Sequence, residues 1–174
     1  MVTVIVLSPS LDATAPVQRA AEAVARSLCA LVRASVEGIV RDALIIGPAE
    51  DQLAEIADEA GCSYIEASSA QEGFARAVAQ SRSDIAFVLE GGYAPQQGFV
   101  EEAGDLLHDA GFRGALLRRS PDSLMTWLAP SLARPVGAFA ARDDLRGAAP
   151  RDLAELIRRL KIRHTLTARA HKIL

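Results

Sequence analysis

The sequence predicts a three-layer α/β/α domain built on a mostly parallel sheet. Three observations carry that expectation. Short, β-branched, nearly continuous apolar runs recur along the chain, as strands buried on both faces do. Longer amphipathic stretches with three- and four-residue apolar spacing separate them. No repeat, low-complexity tract or linker interrupts the alternation over 174 residues, a length that suits one domain spanning residues 1–174.

Each element has its own signal. Residues 2–7 (VTVIVL) read as the first strand. Residues 8–16 (SPSLDATAP) supply loop and cap chemistry. A helix is expected over 17–34, with Val17, Ala21, Val24, Leu28 and Leu31 on one stripe. Residues 40–46 form the second strand, closed by Gly47-Pro48. Residues 50–60 form a helix with acids in its first turn and Gly61 at its end. Residues 62–67 are a short third strand, and 69–80 a helix with Phe74, Ala77 and Val78 on one face. Residues 84–89 (DIAFVL) are a fourth strand, broken by Glu90-Gly91-Gly92. A helix over 95–111, strands over 113–119 and 136–141, a short helix over 123–130, a helix over 150–160 with Pro at its start and a closing strand over 163–170 complete the pattern. Ligands on such sheets bind beyond the carboxyl ends of the strands. Residues 8–12, 47–51 and 90–95 are therefore the places to search.

Composition narrows the function classes. Half the chain is hydrophobic and 24% is charged, which excludes disorder and allows a sizeable core. Nineteen basic against 22 acidic side chains give a formal charge of −3, whereas a nucleic-acid-gripping domain is usually basic. Aromatics are 5% of the chain, too few for a base-stacking platform. No nucleic-acid partner is expected. Cys29 and Cys62 make neither a disulfide framework nor a metal motif and read as packed apolar residues. The sequence has no signal-peptide pattern and no stretch of membrane-spanning length. A cytoplasmic protein without a transmembrane segment is expected.

Familiar motifs are absent. No Gly-rich dinucleotide loop, P-loop or nucleophile elbow occurs, and His108, His164 and His171 have no metal spacing. Arg158, Arg159, Lys161 and Arg163, with His164, form a basic cluster that suits a phosphate or an anionic membrane, or the solvated, dipole-matched end of a helix. Glu90 just past a central strand is a candidate metal or sugar ligand, or an acid in a tight turn. Trp127 and Leu128 are candidate interface residues, or a helix capping the core.

The order of elements resembles the family 2 glycosyltransferases, nucleotide-diphospho-sugar transferases of the GT-A fold. The opening V-T-V-I-V-L-S-P-S resembles that family's first strand and nucleotide-contacting loop. Gly38 to Ile46 resembles its second strand, Gly73-Phe74-Ala75-Arg76 a helix start near the diphosphate, and Asp84 to Leu89 its central strand. Val136 to Arg142 resembles the acceptor-side strand, and Asp152 to Leu160 the helix that carries the catalytic acid. The departures fall where chemistry is expected. The base-reading aspartate falls on Gly47, the metal-binding D-x-D on Leu89-Glu90-Gly91, and the catalytic E-D pair on Asp152-Leu153.

The resemblance implies a donor of UDP or GDP type, contacted by Ser8, Ser10, Gly47 and Arg76. It implies Mn2+ or Mg2+ at Glu90, because sugar transfer builds negative charge on a diphosphate and hard cations take oxygen ligands. It implies a carboxylate to take the acceptor's proton, supplied by Asp152 or by Glu155 one turn on. The degenerate motifs equally fit a catalytically inactive relative, kept as a binding module that forms homo-oligomers or pairs with another protein. Another sugar-nucleotide binder on the same layers is a third class.

Overall fold

The first strand shows why the chain folds in layers. In β1 (Val2–Leu7), Val4 and Val6 point to one face of the sheet, Ile5 and Leu7 to the other, and all four are buried. A strand apolar on both sides needs cover on both sides. The structure is a computed structural model that describes residues 1–12, 17–109, 111–121, 127–128, 133–148 and 150–173. After β1 come a 3-10 turn (Pro9–Asp12), α1 (Val17–Val36), β2 (Val40–Gly47), α2 (Asp51–Glu59), β3 (Ser63–Glu66) and α3 (Ala70–Gln80). Then follow β4 (Ile85–Glu90), β5 (Tyr93–Pro95), α4 (Phe99–His108), β6 (Ala115–Arg119) and β7 (Pro135–Ala141). The described elements end with α5 (Arg142–Arg146), α6 (Leu153–Leu160) and β8 (Thr165–Lys172).

The three-layer expectation holds. One eight-stranded sheet has the order β3-β2-β1-β4-β7-β6-β8-β5. Val6, Ile45, Phe87, Leu117, Phe139 and Leu166 meet α1, α2 and α4 on one face. Ile5, Ile46, Val88, Leu116 and Ala138 meet α3, α5 and α6 on the other. The β3-β2-β1-β4 half is parallel. The other half is mixed: β7 runs antiparallel to β4 and β6, and β8 is parallel to β6.

Several boundaries differ from the sequence reading. β4 runs through Glu90, because Leu7 pairs with Glu90 across the sheet. Tyr93–Pro95 form an unexpected strand, paired with Lys172–Ala170 of β8. The helix expected from residue 95 begins at Phe99, after Gly98 takes a left-handed φ of 89° that a helix cannot use. α6 begins at Leu153 because Asp152 is extended and caps it. α5, five residues of Arg-Asp-Asp-Leu-Arg, is too short for periodicity to reveal. Of the helix expected over 123–130, only Trp127 and Leu128 lie within the described residues. They are helical and 69% and 74% exposed, so they do not cap the core.

The placement of β5 has a large consequence. It starts three residues after β4 ends, yet it is the far edge strand of the sheet, hydrogen-bonded to β8. In a flat sheet those positions lie four spacings apart, about 19 Å. Three residue steps reach at most ~11 Å. The sheet must therefore curl, bringing the end of β8 back toward the carboxyl end of β4. Ile173 N donates to the Gly92 carbonyl at 2.9 Å and closes that contact.

The curl is held by side chains as well. A register shift between β6 and β8 leaves the Thr167 and Ala168 amides without strand partners at that point. Both donate to the Glu102 carboxylate of α4, at 2.6 and 2.8 Å. Glu102→Ala strips the acceptor from two ladder amides. We expect it to cost about 1–3 kcal/mol in a chemical denaturation curve. A change below roughly 0.5 kcal/mol, the level of an ordinary surface substitution, would remove Glu102 from this role.

Candidate functional site

Two hollows lie on the carboxyl-end side of the parallel strands. The main cleft, about 570 Å³, is bounded by the ends of β1 and β4, the turns after them, the residues before β7 and α6, and the end of β8. Its floor depends on two glycines. Gly91 N donates to the Leu7 carbonyl at 2.8 Å, and a Cβ on Gly91 would stand 3.0 Å from that oxygen and from Pro9 Cδ. Gly92 adopts φ +92°, which any other residue would find strained. Together they turn the chain tightly from β4 into β5.

Ser8, Glu90 and Asp152 line this cleft, although residues 8, 90 and 152 are far apart in sequence. Ser8 is buried, its amide held by the Ile46 carbonyl at 2.8 Å, and its hydroxyl shares a 2.7 Å hydrogen bond with that of Ser10. Glu90 is mostly buried and its Oε1 accepts from Arg134 at 2.5 Å. Asp152 Oδ1 accepts from the Glu155 amide at 2.6 Å, so it caps α6. Glu155 does not line the cleft. Its carboxylate accepts from the Arg151 amide at 2.8 Å and pairs with Arg159 at 2.7 Å. Asp152 caps the helix and Glu155 reaches back to the amide of the residue before the cap, a variant of the capping box.

Gly47 and Arg76 are not brought into the cleft. Gly47 is a packing position, where a Cβ would stand 2.5 Å from Leu53 Cδ1 and 3.4 Å from Ser8 Cβ. Arg76 lines the second hollow, about 540 Å³, with Pro48, Ala49, Glu66 and Glu72. Its guanidinium is tied to the Glu66 carbonyl.

The sequence reading missed the cleft's cations. Arg19, Arg134, Arg151 and Lys172 line it, against Glu90 and Asp152 as the acids. Arg151 stands next to a residue already singled out, which was the one available signal. Lys172 arrives only through the pairing of β8 with β5, which leaves no local pattern. With four cations, two acids and one acid tied to Arg134, the lining is basic in balance. Such a wall favours an oxyanion such as a phosphate.

The same donor set does not fit a divalent cation. Mn2+ or Mg2+ wants several oxygen ligands. Here Glu90 carries a guanidinium on one oxygen and Asp152 serves a backbone amide. No group of three or more carboxylate, imidazole or thiol side chains converges among the described residues.

Glu155 gives the cap a pH signature. The Arg151 amide, then the Arg159 guanidinium, hold its carboxyl below the usual range. A lowered folded value contributes stability that is fully present above the ordinary carboxylate pKa and lost as pH falls through the folded one. We expect the protection factor of the Arg151 amide, corrected for its intrinsic exchange rate, to fall as pH drops below the carboxylate range. Glu155→Gln should abolish that trend, and a wild-type trend surviving in the variant would assign it elsewhere.

No family model and no curated protein matches this sequence. Solved structures do resemble it. HddC from Yersinia pseudotuberculosis complexed with GMP-PN aligns with a TM-score of 0.62 at 10% identity, covering 99% of this chain and 94% of that one. Glucosyl-3-phosphoglycerate synthase from Mycobacterium tuberculosis, in complex with Mn2+, UDP and glucosyl-3-phosphoglycerate, aligns at 0.61 and 17% identity, over 95% and 68% of the two chains. In another complex of that synthase the alignment spans 56% of its length. A 4-diphosphocytidyl-2C-methyl-D-erythritol synthase aligns at 0.57 and 14% identity, over 95% and 87%. At such identities the likeness speaks for the fold. The chain has the GT-A-like fold of nucleotidyl- and glycosyltransferases, not one specific to family 2.

Proposed function

We propose that this chain binds a nucleotide-diphosphate sugar of UDP or GDP type and transfers its sugar to an acceptor hydroxyl. The observation that carries the proposal is the basic cleft at the carboxyl ends of β1 and β4, with Ser8, Glu90 and Asp152 on its walls. The neighbours bound to UDP and to GMP-PN support a nucleotide as the occupant.

Each residue then has a task. The hydroxyls of Ser8 and Ser10 hold the nucleotide, with Gly47 keeping β2 close behind Ser8. Arg19, Arg151 and Lys172 face the diphosphate. The acceptor oxygen bonds to the anomeric carbon as the bond to the diphosphate breaks. The leaving diphosphate keeps the electron pair, and the cations offset its charge. Asp152 takes the acceptor's proton, with Glu155 holding the helix start that positions it. Arg76 belongs to the neighbouring hollow, where an extended nucleotide would reach it.

Manganese or magnesium in the neighbours supports a divalent ion as the nucleotide's companion, and Glu90 is the one cleft carboxylate at the end of β4 to weigh as its ligand. A single carboxylate already held by Arg134 does not fit that task, so no step here is routed through a metal.

The commitment of Glu90 to Arg134 and of Asp152 to the cap favours a second reading, a binding module without turnover. No helix among the described residues is long and apolar enough to cross a membrane. We place the protein's action in the cytoplasm, where nucleotide sugars are made and free thiols such as Cys29 and Cys62 persist. In the inactive reading its partner is a second copy or another protein.

Isothermal titration with UDP, GDP and their common sugars, each with Mn2+ and with EDTA, tests the binding claim. Saturable binding of one nucleotide supports it, and no binding at millimolar concentration overturns it. Release of sugar from the bound donor then separates the enzyme from the module.

A further inference from the structure

The carboxyl end of β6 holds a second charged feature that the donor cleft does not use. Arg118 of β6 and Arg169 of β8 are partners in the parallel register. Residues paired in that way project to the same face of the sheet. Leu166, Ala168 and Ala170 pack toward α4, so Arg169 projects to the opposite face, beside the exposed Thr167.

Like charges directly opposite in a sheet repel. Among the described residues no carboxylate pairs with either guanidinium. Arg118 donates instead to a neutral group, the Ala133 carbonyl, at 2.6 Å. Its Nε, and Nη1 of Arg169, are buried without a hydrogen-bond partner. Burial first, and the Arg169 charge second, disfavour the charged form of Arg118. Two adjacent, partly buried guanidinium groups thus face no carboxylate among the described residues and keep spare donors. Their planar forks suit an oxyanion held by paired N–H bonds.

The location gives the anion a context. Ala133 precedes Arg134, the residue that reaches Glu90 on the cleft wall. Arg118 is thus one residue removed from the cleft wall, and Arg169 is its partner across β6 and β8.

We propose that Arg118 and Arg169 form an oxyanion subsite at the carboxyl end of β6, which holds the phosphate or carboxylate of a second substrate beside the cleft. The second-substrate role rests on the donor reading above, whereas the anion subsite stands on the arginine pair alone.

The test is a titration of the full-length chain with inorganic phosphate and, separately, acetate. It is read by the arginine Nε–Hε NMR signals. Saturable shifts at Arg118 and Arg169 are expected. Arg118→Gln and Arg169→Gln should each weaken phosphate binding by about tenfold. At low salt and without phosphate, Arg169→Gln should melt at a higher temperature than wild type, because repulsion is relieved. The stronger of the two anions identifies the group recognised. UDP titrations of the same variants report the donor cleft separately. If Arg134→Gln or Lys172→Gln removes phosphate binding while Arg118→Gln and Arg169→Gln keep it, the anion belongs to the cleft and the subsite is overturned. If no anion shifts Arg118 or Arg169, or Arg169→Gln lowers the melting temperature equally at all salt concentrations, the pair is structural and the subsite is likewise overturned. Phosphate held by the pair without any UDP binding would leave the subsite and remove the donor reading.

Discussion

Phe87→Ala should be the most damaging single truncation in this protein. The ring sits in the middle of β4, the strand that joins the parallel half of the sheet to the mixed half. It stacks on Phe139 of β7 with centroids 4.4 Å apart and meets Phe99 of α4 at 5.2 Å. All three rings are buried. They therefore tie together the two halves of the sheet and the helix layer. Removing a buried phenylalanine costs about 3–5 kcal/mol, through lost transfer energy and an unfilled cavity. For a domain of this size that is a fall in melting temperature of roughly 6–20 °C. Gly137 aggravates the loss, because it leaves room for the Phe87 ring: a Cβ there would stand 2.9 Å from Cε2. With the ring gone, no side chain at position 137 fills the space. Phe87→Leu should recover much of the stability. A melting temperature within about 3 °C of wild type for Phe87→Ala, under 1.5 kcal/mol on the same scale, would mean that the three rings do not tie the halves together.

The largest functional effect is expected from reversing two cations of the cleft. Arg151→Glu with Lys172→Glu turns a lining of four cations and two acids into two and four. Both positions are exposed, so the double variant should fold. A charge-assisted hydrogen bond is worth about 1.5–3 kcal/mol. Losing two should weaken UDP by at least a hundredfold, at tenfold per 1.4 kcal/mol. The milder pair Arg151→Gln with Lys172→Gln guards against a simple local disturbance at the α6 cap, and should still weaken UDP by about tenfold. Wild-type affinity should also fall steeply with salt, as attraction between exposed charges does. Calorimetry on the three proteins at two ionic strengths measures all of this. Wild-type UDP affinity in the reversed variant would show that these cations do not face the diphosphate, and the donor pose in the cleft would have to be abandoned.

The part of this fold that was legible in the sequence is the part set by local physics. β1, α1, β2 and α3 emerge within a residue or two of their expected bounds, because burial on two faces or on one stripe writes itself into residue spacing. Ser69 caps α3 through the Glu72 amide, and Asp152 caps α6. Such signals need only neighbours three residues away. The short elements were less legible. β5 and α5 have too few residues for a period to develop, and α4, the helix after β5, starts late because a glycine backbone angle intervenes.

The candidate site divides along the same line. Sequence marked Ser8, Glu90 and Asp152 one by one, each at the end of a readable element. It offered no means of knowing that they share one cleft while Arg76 and Gly47 stand outside it. Sequence by itself thus determined the layers, the strand ends and the loss of the expected acids. Only the tertiary structure decided which loops face one another, through the curl that carries β8 back to β5. That curl rests on backbone hydrogen bonds, on a register shift filled by Glu102 and on the reach of three residues after β4. Backbone bonds are indifferent to side-chain identity, so they leave no pattern in the sequence. Lys172, Arg134 and the Arg118–Arg169 pair owe their positions to that curl and to strand register.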